Sequence, residues 1–262
     1  MKNYQSSLSK SKSNRRSHAE SRDGLFINNW SAFEEYLKSA PKSLSNLACA
    51  SADEIRLNEL RTKYEAVDLD YVVDPKLETG IRANVAIEYL DEEKMLEEAA
   101  LRRHDLIIAC DHITDTRNLG AIARTAAFFG LRNIILPKDR QASITSGTMA
   151  VAQGAFATIK PSLVTNLSRT LLSLKECGYW IATADMKGAD LNKFRADYNK
   201  LVLVLGSEDK GVSAQIRNKS DLLVSIPSMG GSLDSLNVSV AAGILIYKLK
   251  SGSNEVKNFP PT

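Results

Sequence analysis

Five short, uninterrupted apolar segments in the second half of the chain constrain the fold most strongly. Side chains that are apolar at every position, with no alternation, are typical of strands buried on both faces of a parallel sheet. The segments span 106–110, 134–136, 180–183, 201–205 and 222–226, and helical stretches at 119–129, 143–152, 166–176, 213–217 and 238–249 alternate with them. The pattern predicts an α/β fold with a parallel sheet of about five strands, which binds its ligand at the carboxyl ends of the strands.

The first part of the chain predicts a second, smaller α/β domain at 23–98, followed by a linker at 99–103 and the sheet domain at 104–250. Within the charged stretch 91–103 the sequence fits a linker or a linking helix. The expected elements are helices at 25–40 and 53–64 and short strands at 44–50, 68–73 and 85–90. Residues 1–22 and 251–262 are expected to be terminal tails.

Charge is distributed unevenly along the chain, although 34 Lys and Arg against 31 Asp and Glu give a net charge of only +3. Residues 1–22 carry six basic residues and one acidic residue, together with seven serines. This composition fits either a basic arm for phosphate groups or a solvated terminus. Residues 23–103 hold ten basic and seventeen acidic residues. An acidic surface repels RNA, which puts a substrate-binding role of this part in question.

Several classes of protein are excluded or disfavoured by the sequence. No window reaches the roughly 18 apolar residues of a membrane-spanning helix, so no membrane partner is expected. The nucleotide-binding and hydrolase motifs GxGxxG, GxxxxGK[ST] and GxSxG do not occur. Three widely spaced cysteines and three histidines predict neither a disulfide framework nor a metal site. The pair Asp111-His112 is interpreted as polar lining at a strand end.

Three polar segments follow predicted strands and are candidates for a site. In the first, 116–126, Asn118 can satisfy free N–H groups at a helix start, and Arg117 and Arg124 share one helix face suited to phosphate. The second, 206–211, is a charged loop between two glycines, in which Glu208 is placed to pair with an arginine. In the third, 225–241, Ser235 and Asn237 either cap the last helix or bind a ligand.

Together, the sequences NLGAIAR, LGSEDKG and IPSMGG…SLNVSVA resemble, in this order, the SpoU (TrmH-like) branch of the SPOUT methyltransferases. The resemblance covers about 104–250 and is greatest to the RlmB-type enzymes. It implies S-adenosylmethionine as cofactor, transfer of its methyl group to a ribose 2′-hydroxyl of RNA, a trefoil-knotted sheet and a homodimer. The implied catalytic residues are Asn118, Arg124, Glu208, Ser235 and Asn237, and the implied cofactor-binding residues are Leu205, Gly206, Gly211, Ile226, Met229 and Leu236.

The implied substrate is a guanosine of large-subunit ribosomal RNA. A transfer-RNA ribose methyltransferase and a non-catalytic RNA-binding or ribosome-assembly factor are the alternatives. The family assigns the proton-accepting role to Arg124, but a guanidinium stays protonated, so we expect this residue to polarise the hydroxyl or its phosphate. Glu208 would orient an arginine, while Asn118 and Ser235 would hold the ribose. We expect a cytoplasmic location, with an organelle matrix as the alternative.

Overall fold

A computed structural model describes residues 24–193, 198–231 and 235–252, and its described helices and strands form two β-sheets with helices packed on them. The predicted terminal tails therefore lie almost entirely outside the described residues. Within the described ranges, no helix combines the length and the apolar composition needed to cross a membrane.

The first sheet has four strands in the order β1-β4-β2-β3. Strand β4 is antiparallel to both β1 and β2, whereas β3 runs parallel to β2. The elements are β1 (Phe26–Ile27), α1 (Trp30–Ser39), β2 (Leu44–Cys49), α2 (Glu54–Lys63), β3 (Tyr71–Val73) and β4 (Ile81–Val85). The side chain of Asn29 accepts a hydrogen bond from the Ala32 N–H at 2.8 Å and so fixes where α1 begins.

The second sheet has six parallel strands in the order β10-β8-β9-β5-β6-β7. Its strands are β5 (Asp105–Asp111), β6 (Asn133–Pro137), β7 (Lys160–Val164), β8 (Trp180–Asp190), β9 (Lys200–Gly206) and β10 (Leu222–Ser225). The helices around it are α3 (Glu92–Leu101), α4 (Thr116–Phe128), α5 (Ser146–Ala152), α6 (Leu167–Glu176), α7 (Ala214–Arg217) and α8 (Val238–Gly252).

Alternate side chains of the central strands enter two different cores, one on each face of the second sheet. On β5, Ile108 belongs to the core that also contains α4, α5, α8 and the first sheet. Its neighbour Ile107 belongs to the opposite core, which contains residues of α3, α6 and α7. Both side chains are buried, so the unbroken apolar pattern of these strands reflects apolar packing on both faces.

The first core continues without interruption from the first sheet into the second. Helix α1 packs against the short 3₁₀ turn Ala155–Ala157, and α5 packs against β1. At the junction Gly154 has φ +89°, and a Cβ on it would lie 3.0 Å from the Cα of Ala32. Only glycine allows both this backbone conformation and so close an approach of α1.

Several predicted elements differ from the observed ones. The strand predicted at 85–90 is wrong, because the pairing strand β4 ends at Val85. The helix predicted from residue 25 begins at Trp30, since Phe26 and Ile27 pair with β4 instead. The charged stretch 91–103 is mostly the helix α3, so the linker expected at 99–103 includes the last turn of a helix.

The second sheet contains one strand more than predicted. Strand β7 pairs along its whole length with β6, from Asn133↔Lys160 to Pro137↔Val164. Its sequence, KPSLV, includes a proline and a serine, and so it lacks the apolar run by which the other strands were recognised. Because β7 is the outermost strand of this sheet, one side of its backbone has no ladder partner, and a proline is tolerated there.

We predict that Gly120→Ala destabilises the protein. A Cβ on Gly120 would lie 2.6 Å from the Thr148 carbonyl oxygen and 2.9 Å from the Val151 Cβ, so α4 and α5 would have to move apart. The expected loss in free energy of unfolding is about 1–3 kcal/mol in urea titrations. The control is Gly147→Ala in α5, where the nearest heavy atom to a Cβ is 3.5 Å away. It should leave stability unchanged or raise it by up to about 1 kcal/mol. Equal stability of the two variants would contradict the proposed packing of α4 on α5.

Candidate functional site

Three polar segments meet at the carboxyl end of the parallel sheet. Helix α4 starts shortly after β5, the loop 207–213 follows β9, and α8 starts after the segment that follows β10. Strands β5 and β9 are in register up to the pair Asp111↔Gly206. Because adjacent parallel strands end at the same edge, residues that are far apart in the sequence come within hydrogen-bonding distance there.

Asn118, Glu208 and Asn237 form a hydrogen-bonded cluster at this edge, which we call the polar triangle. The Asn118 Nδ2 donates to Glu208 Oε1 at 3.0 Å, and the Asn237 Nδ2 donates to Asn118 Oδ1 at 3.1 Å. The Asn237 Nδ2 also donates to Glu208 Oε1. Asn118 is only 8% exposed, whereas Glu208 and Asn237 are exposed. The triangle therefore has one buried member and two that face solvent.

The orientation of each side chain in the triangle is fixed by its neighbours. The Asn237 Oδ1 accepts hydrogen bonds from the Ser239 N–H at 2.9 Å and from the Ser239 hydroxyl at 2.6 Å. This leaves the Asn237 amide nitrogen to face Asn118 and Glu208. Asn237 thus serves both roles considered for it, because it caps the first turn of α8 and also joins the site.

The sequence-based interpretation of Asn118 was incomplete. The residue that caps α4 is Asp115, whose side chain accepts from the Arg117 N–H at 2.8 Å. This bond and the Arg117 guanidinium lower the pKa of the Asp115 carboxyl. Because Asp115 satisfies the helix start, the Asn118 amide is available for contacts across the site. Arg117 itself stays exposed beside Asp115 and takes no part in the triangle.

Asp111 is a further residue that shapes the site. Its buried carboxylate accepts from the Ser213 N–H at 2.7 Å and lies 2.6 Å from the His112 Nδ1. It thereby ties the loop after β9 to the end of β5. His112 has φ +62°, a left-handed conformation that is uncommon for a residue other than glycine. The signal in the sequence was a carboxylate directly after four apolar residues and a cysteine.

The thiol that precedes Asp111 is chemically inert. Burial raises the pKa of Cys110 to about 12, and the charge of Asp111 acts in the same direction. A thiol needs its deprotonated form to act as a nucleophile. Cys110 is therefore part of the core of the sheet and supplies no chemistry at this edge.

The other residues expected in the site occupy different positions. Arg124 is exposed on α4 and lines a groove with Phe128 and Glu35, and it has no hydrogen bond to the triangle. Ser235 is exposed just before α8. Among the expected cofactor-binding residues, Leu205 and Gly206 are buried, Ile226 is half-buried, and Gly211, Met229 and Leu236 are exposed. The Leu205 side chain points into the core and offers a ligand only its backbone.

The loop after β9 closes tightly on itself. The Gly211 N–H donates to the Ser207 carbonyl oxygen at 2.9 Å, and Gly211 has φ +65°. A Cβ on Gly206 would lie 2.1 Å from the Gly211 carbonyl carbon, so no side chain fits there. The two glycines that close the turn therefore present only backbone groups near Glu208.

Comparison with known proteins identifies this arrangement. The model of the SpoU rRNA Methylase family matches residues 105–247, which include all three segments of the site. The chain belongs to the SpoU rRNA methylase family. It is 35% identical over 227 residues to an uncharacterized tRNA/rRNA methyltransferase of Borreliella burgdorferi, covering 84% of this chain and 97% of that protein.

Two further relatives extend the comparison of this SpoU chain. The 23S rRNA (guanosine-2′-O-)-methyltransferase RlmB of Nitrosomonas europaea is 40% identical over 171 residues, covering 64% of this chain and 65% of that enzyme. The structure of an AdoMet-bound rRNA methyltransferase from Sinorhizobium meliloti superposes with a TM-score of 0.68 at 19% identity, covering 87% of both chains. The fold of this chain is thus that of SpoU methyltransferases.

The described part of this SpoU chain contains no group of three or more His, Cys, Asp or Glu side chains arranged to hold a metal ion. What the site offers instead is one carboxylate, two carboxamides and the backbone of a glycine turn. Such groups orient hydroxyl and amide groups of a ligand by hydrogen bonds.

We predict that Asn118→Asp destabilises the protein in a pH-dependent way. The new carboxylate would lie within hydrogen-bonding distance of Glu208, and two carboxylates this close raise the pKa of one of them in the folded state. The variant should lose about 1–3 kcal/mol of unfolding free energy at pH 7. The deficit should shrink as the pH falls toward 4, because the folded variant then binds a proton. The control is Asn28→Asp at an exposed position. A deficit equal at both pH values would contradict the triangle.

Proposed function

We propose that this protein transfers the methyl group of S-adenosylmethionine to the 2′-hydroxyl of a ribose in RNA, at a guanosine of large-subunit ribosomal RNA. The observation that carries the proposal is the polar triangle, in which side chains from three segments of a SpoU domain meet at one sheet edge. The RlmB enzymes among its relatives, which carry guanosine-2′-O-methyltransferase in their names, support the ribose and the ribosomal RNA.

The residues at the carboxyl edge fit S-adenosylmethionine. The closed turn at Gly206 offers backbone groups for polar contacts, and Met229 and Leu236 expose apolar side chains, 88% and 49% exposed, on the segment between β10 and α8. Ile226 follows β10 at the same edge. An adenine ring and a methionine chain need this combination of apolar cover and a few backbone hydrogen bonds. When bound, the cofactor supplies an electrophilic methyl group.

The polar triangle would hold the ribose. Asn118 is fixed by two hydrogen bonds, and Glu208 and Asn237 are exposed to an incoming hydroxyl. A group held in one orientation lowers the entropic cost of aligning the 2′-oxygen with the methyl group. Ser235 lies next to this cluster in the sequence, and we assign it the same positioning role. Because Glu208 accepts from two amides, it positions Asn118 and Asn237, and no arginine bonds to it in the described structure.

Arg124 would act on the hydroxyl or on the phosphate beside it. It is exposed, and its guanidinium has no hydrogen bond or ion pair with any residue that the structure describes. A guanidinium does not accept a proton near neutral pH, so Arg124 would polarise the 2′-hydroxyl, and the hydroxyl proton would pass to an oxygen of the adjacent phosphate. The 2′-oxygen would then form the new bond to the methyl carbon as the bond from that carbon to the sulfonium sulfur breaks, and S-adenosylhomocysteine would be the product that leaves.

We also propose that the chain acts as a homodimer and that its sheet is threaded as a trefoil knot. The dimer is supported by an apolar stripe on α8, formed by Val240, Ile244 and Tyr247, which stays 39–61% exposed in the single chain. Phe128 on α4 is 82% exposed. Its ring contacts the ring of Phe129, which in turn contacts Tyr247, so Phe128 lies near the stripe. Arg124 lies one turn from Phe128, so this interface would bring Arg124 toward the polar triangle of the partner subunit.

The alternatives concern substrate and activity. A transfer-RNA ribose methyltransferase would use the same site on another RNA. A non-catalytic RNA-binding factor would bind RNA without transferring a methyl group, and the intact polar triangle speaks against it. We place the reaction in the cytoplasm, with an organelle matrix as the alternative. The basic residues of segment 1–22 lie outside the described structure.

We predict that Ile244→Glu separates the dimer and stops methyl transfer. A carboxylate in the middle of the α8 stripe would have to be desolvated on association. Sedimentation velocity should show a monomer, and transfer of tritiated methyl groups to ribosomal RNA should fall to background. The control is Leu101→Glu at the end of α3, a position that is 86% exposed. A fully active monomer would contradict both the interface and the role of Arg124 across it.

We predict that Arg124→Ala lowers methyl transfer by about 10²- to 10³-fold, because it removes the charge that stabilises the reacting group. Calorimetric binding of S-adenosylmethionine should stay nearly unchanged. Arg117→Ala is the matched control, since that arginine is also exposed on α4 but is paired with Asp115. Loss of cofactor binding together with transfer would argue against this role. No heat of binding for the unaltered protein would argue against the proposed function itself.

A further inference from the structure

A groove of about 810 Å³ lies between helix α1 and the second sheet, away from the polar triangle. We call it the seam groove. The charged residues that line it are Glu35, Glu98, Arg102, Arg124, Arg132 and Lys160. A neighbouring hollow of about 320 Å³ shares Arg102 and Arg132 with it and adds Arg103 and Lys250. Basic side chains therefore outnumber acidic ones along the combined surface.

The seam groove follows the amino-terminal edge of the parallel sheet. Strands β6 and β7 begin at Asn133 and Lys160, which both line the groove, and β5 begins at Asp105 in the neighbouring hollow. The polar triangle lies at the opposite, carboxyl-terminal edge. The seam groove and the polar triangle therefore lie at opposite edges of the sheet. Arg124, which was expected at the catalytic site, lines the groove.

Two of the basic residues that line the groove are held in place by ion pairs. Arg102 is held by Glu98 at 3.2 Å and by Asp105 at 3.0 Å, and it also donates to Asn133 at 2.9 Å. Lys160 pairs with Glu88 at 2.5 Å. The charge of Arg102 thus offsets part of the negative charge of Glu98 and Asp105.

Three other arginines remain unneutralised. Arg103, Arg124 and Arg132 are exposed, and none of them has a hydrogen bond or ion pair with any side chain in the ranges that the structure describes. Arg132 lines both hollows, whereas Arg124 lines the seam groove and Arg103 the neighbouring hollow. The like charges along this surface repel, and a bound anion reduces this repulsion. Guanidinium groups also match the fork geometry of phosphate oxygens.

We propose that the seam groove and the neighbouring hollow together bind the phosphate backbone of the RNA substrate, on the side of Arg124 remote from the reacting nucleotide. The inference rests on the proposed function, which makes RNA the substrate. Ser39, Gln153 and Thr158 also line the groove and offer neutral hydrogen-bonding groups for riboses and base edges. An RNA strand in the groove passes Arg124, the residue expected at the reacting ribose. Helix α1 contributes Glu35 and Ser39 to the wall of the groove and no basic side chain.

The test is the salt dependence of RNA binding. The probe is a fluorescein-labelled hairpin of large-subunit ribosomal RNA, titrated by fluorescence anisotropy at several KCl concentrations. Each lost phosphate contact reduces the slope of log K against log salt concentration by about 0.7–0.9. The double variant Arg103→Gln/Arg132→Gln should therefore lower the slope by about 1.4–1.8 and weaken binding. The matched control, Lys76→Gln/Arg169→Gln, removes two exposed charges elsewhere and should match the unaltered protein.

The outcomes separate the groove from the proposed function. If the double variant keeps the slope and affinity of the control, the groove does not bind phosphates and the inference is overturned. If it loses binding of poly-glutamate but not of RNA, the groove serves an acidic polypeptide and the inference is equally overturned. The unaltered protein could also fail to transfer methyl groups while the double variant still lowers the salt slope of RNA binding. That result would overturn the proposed function and leave the inference about the groove standing. Calorimetric binding of S-adenosylmethionine should be equal in all variants and checks that each is folded.

Discussion

The hydrogen bonds among Asn118, Glu208 and Asn237 are the interaction on which the site depends. These residues are separated by 90 and 29 positions along the chain, so no local structure brings them together. Their meeting requires β5, β9 and β10 to end at one edge, with the β5 and β9 ladder in register up to Asp111↔Gly206. The buried Asp111 then fixes the loop after β9 through Ser213. The register of the sheet therefore sets the geometry of the proposed ribose-binding site.

The two edges of the parallel sheet differ in the polar and charged side chains that they carry. The carboxyl edge carries two carboxamides, the carboxylates of Glu208 and Asp111 and a turn closed by two glycines, which suit oriented hydrogen bonds. The amino edge carries arginines, of which Arg102 is paired and Arg132 is not. Helix α4 spans the distance between these edges, with Asn118 in its first turn and Arg124 two turns later. A substrate that touches both ends of α4 is long and anionic, as an RNA strand is.

Much of this organisation could be predicted from the sequence, since buried parallel strands have a distinctive pattern. The runs beginning at Leu106 and Leu201 are strands, and the three motifs lie after strand ends as expected. Strand β7 was not predicted because KPSLV pairs on one side only and needs no apolar run. The role of Asn118 was only half predicted, because a helix-start asparagine looks the same whether it caps its own helix or bonds to Glu208. That choice depends on Asp115, which takes the cap.

Contacts between distant parts of the chain were beyond prediction for a related reason. The groove beside α1 depends on the tight junction at Gly154 and Ala32, and a single glycine in a sequence does not reveal its partner. The exposure of Phe128 likewise depends on the tertiary structure, because the sequence shows only two adjacent phenylalanines and not which of them is buried. Only the folded chain shows that Phe129 packs inward while Phe128 faces solvent.

The central claim is that the carboxyl edge transfers a methyl group to a ribose oxygen. Nucleoside mass spectrometry tests it most directly, on ribosomal RNA incubated with the protein and isotopically labelled S-adenosylmethionine. We expect labelled 2′-O-methylguanosine from the large-subunit RNA as the product, and none without the protein. Label on a nucleobase, or no label on any RNA, would contradict the claim.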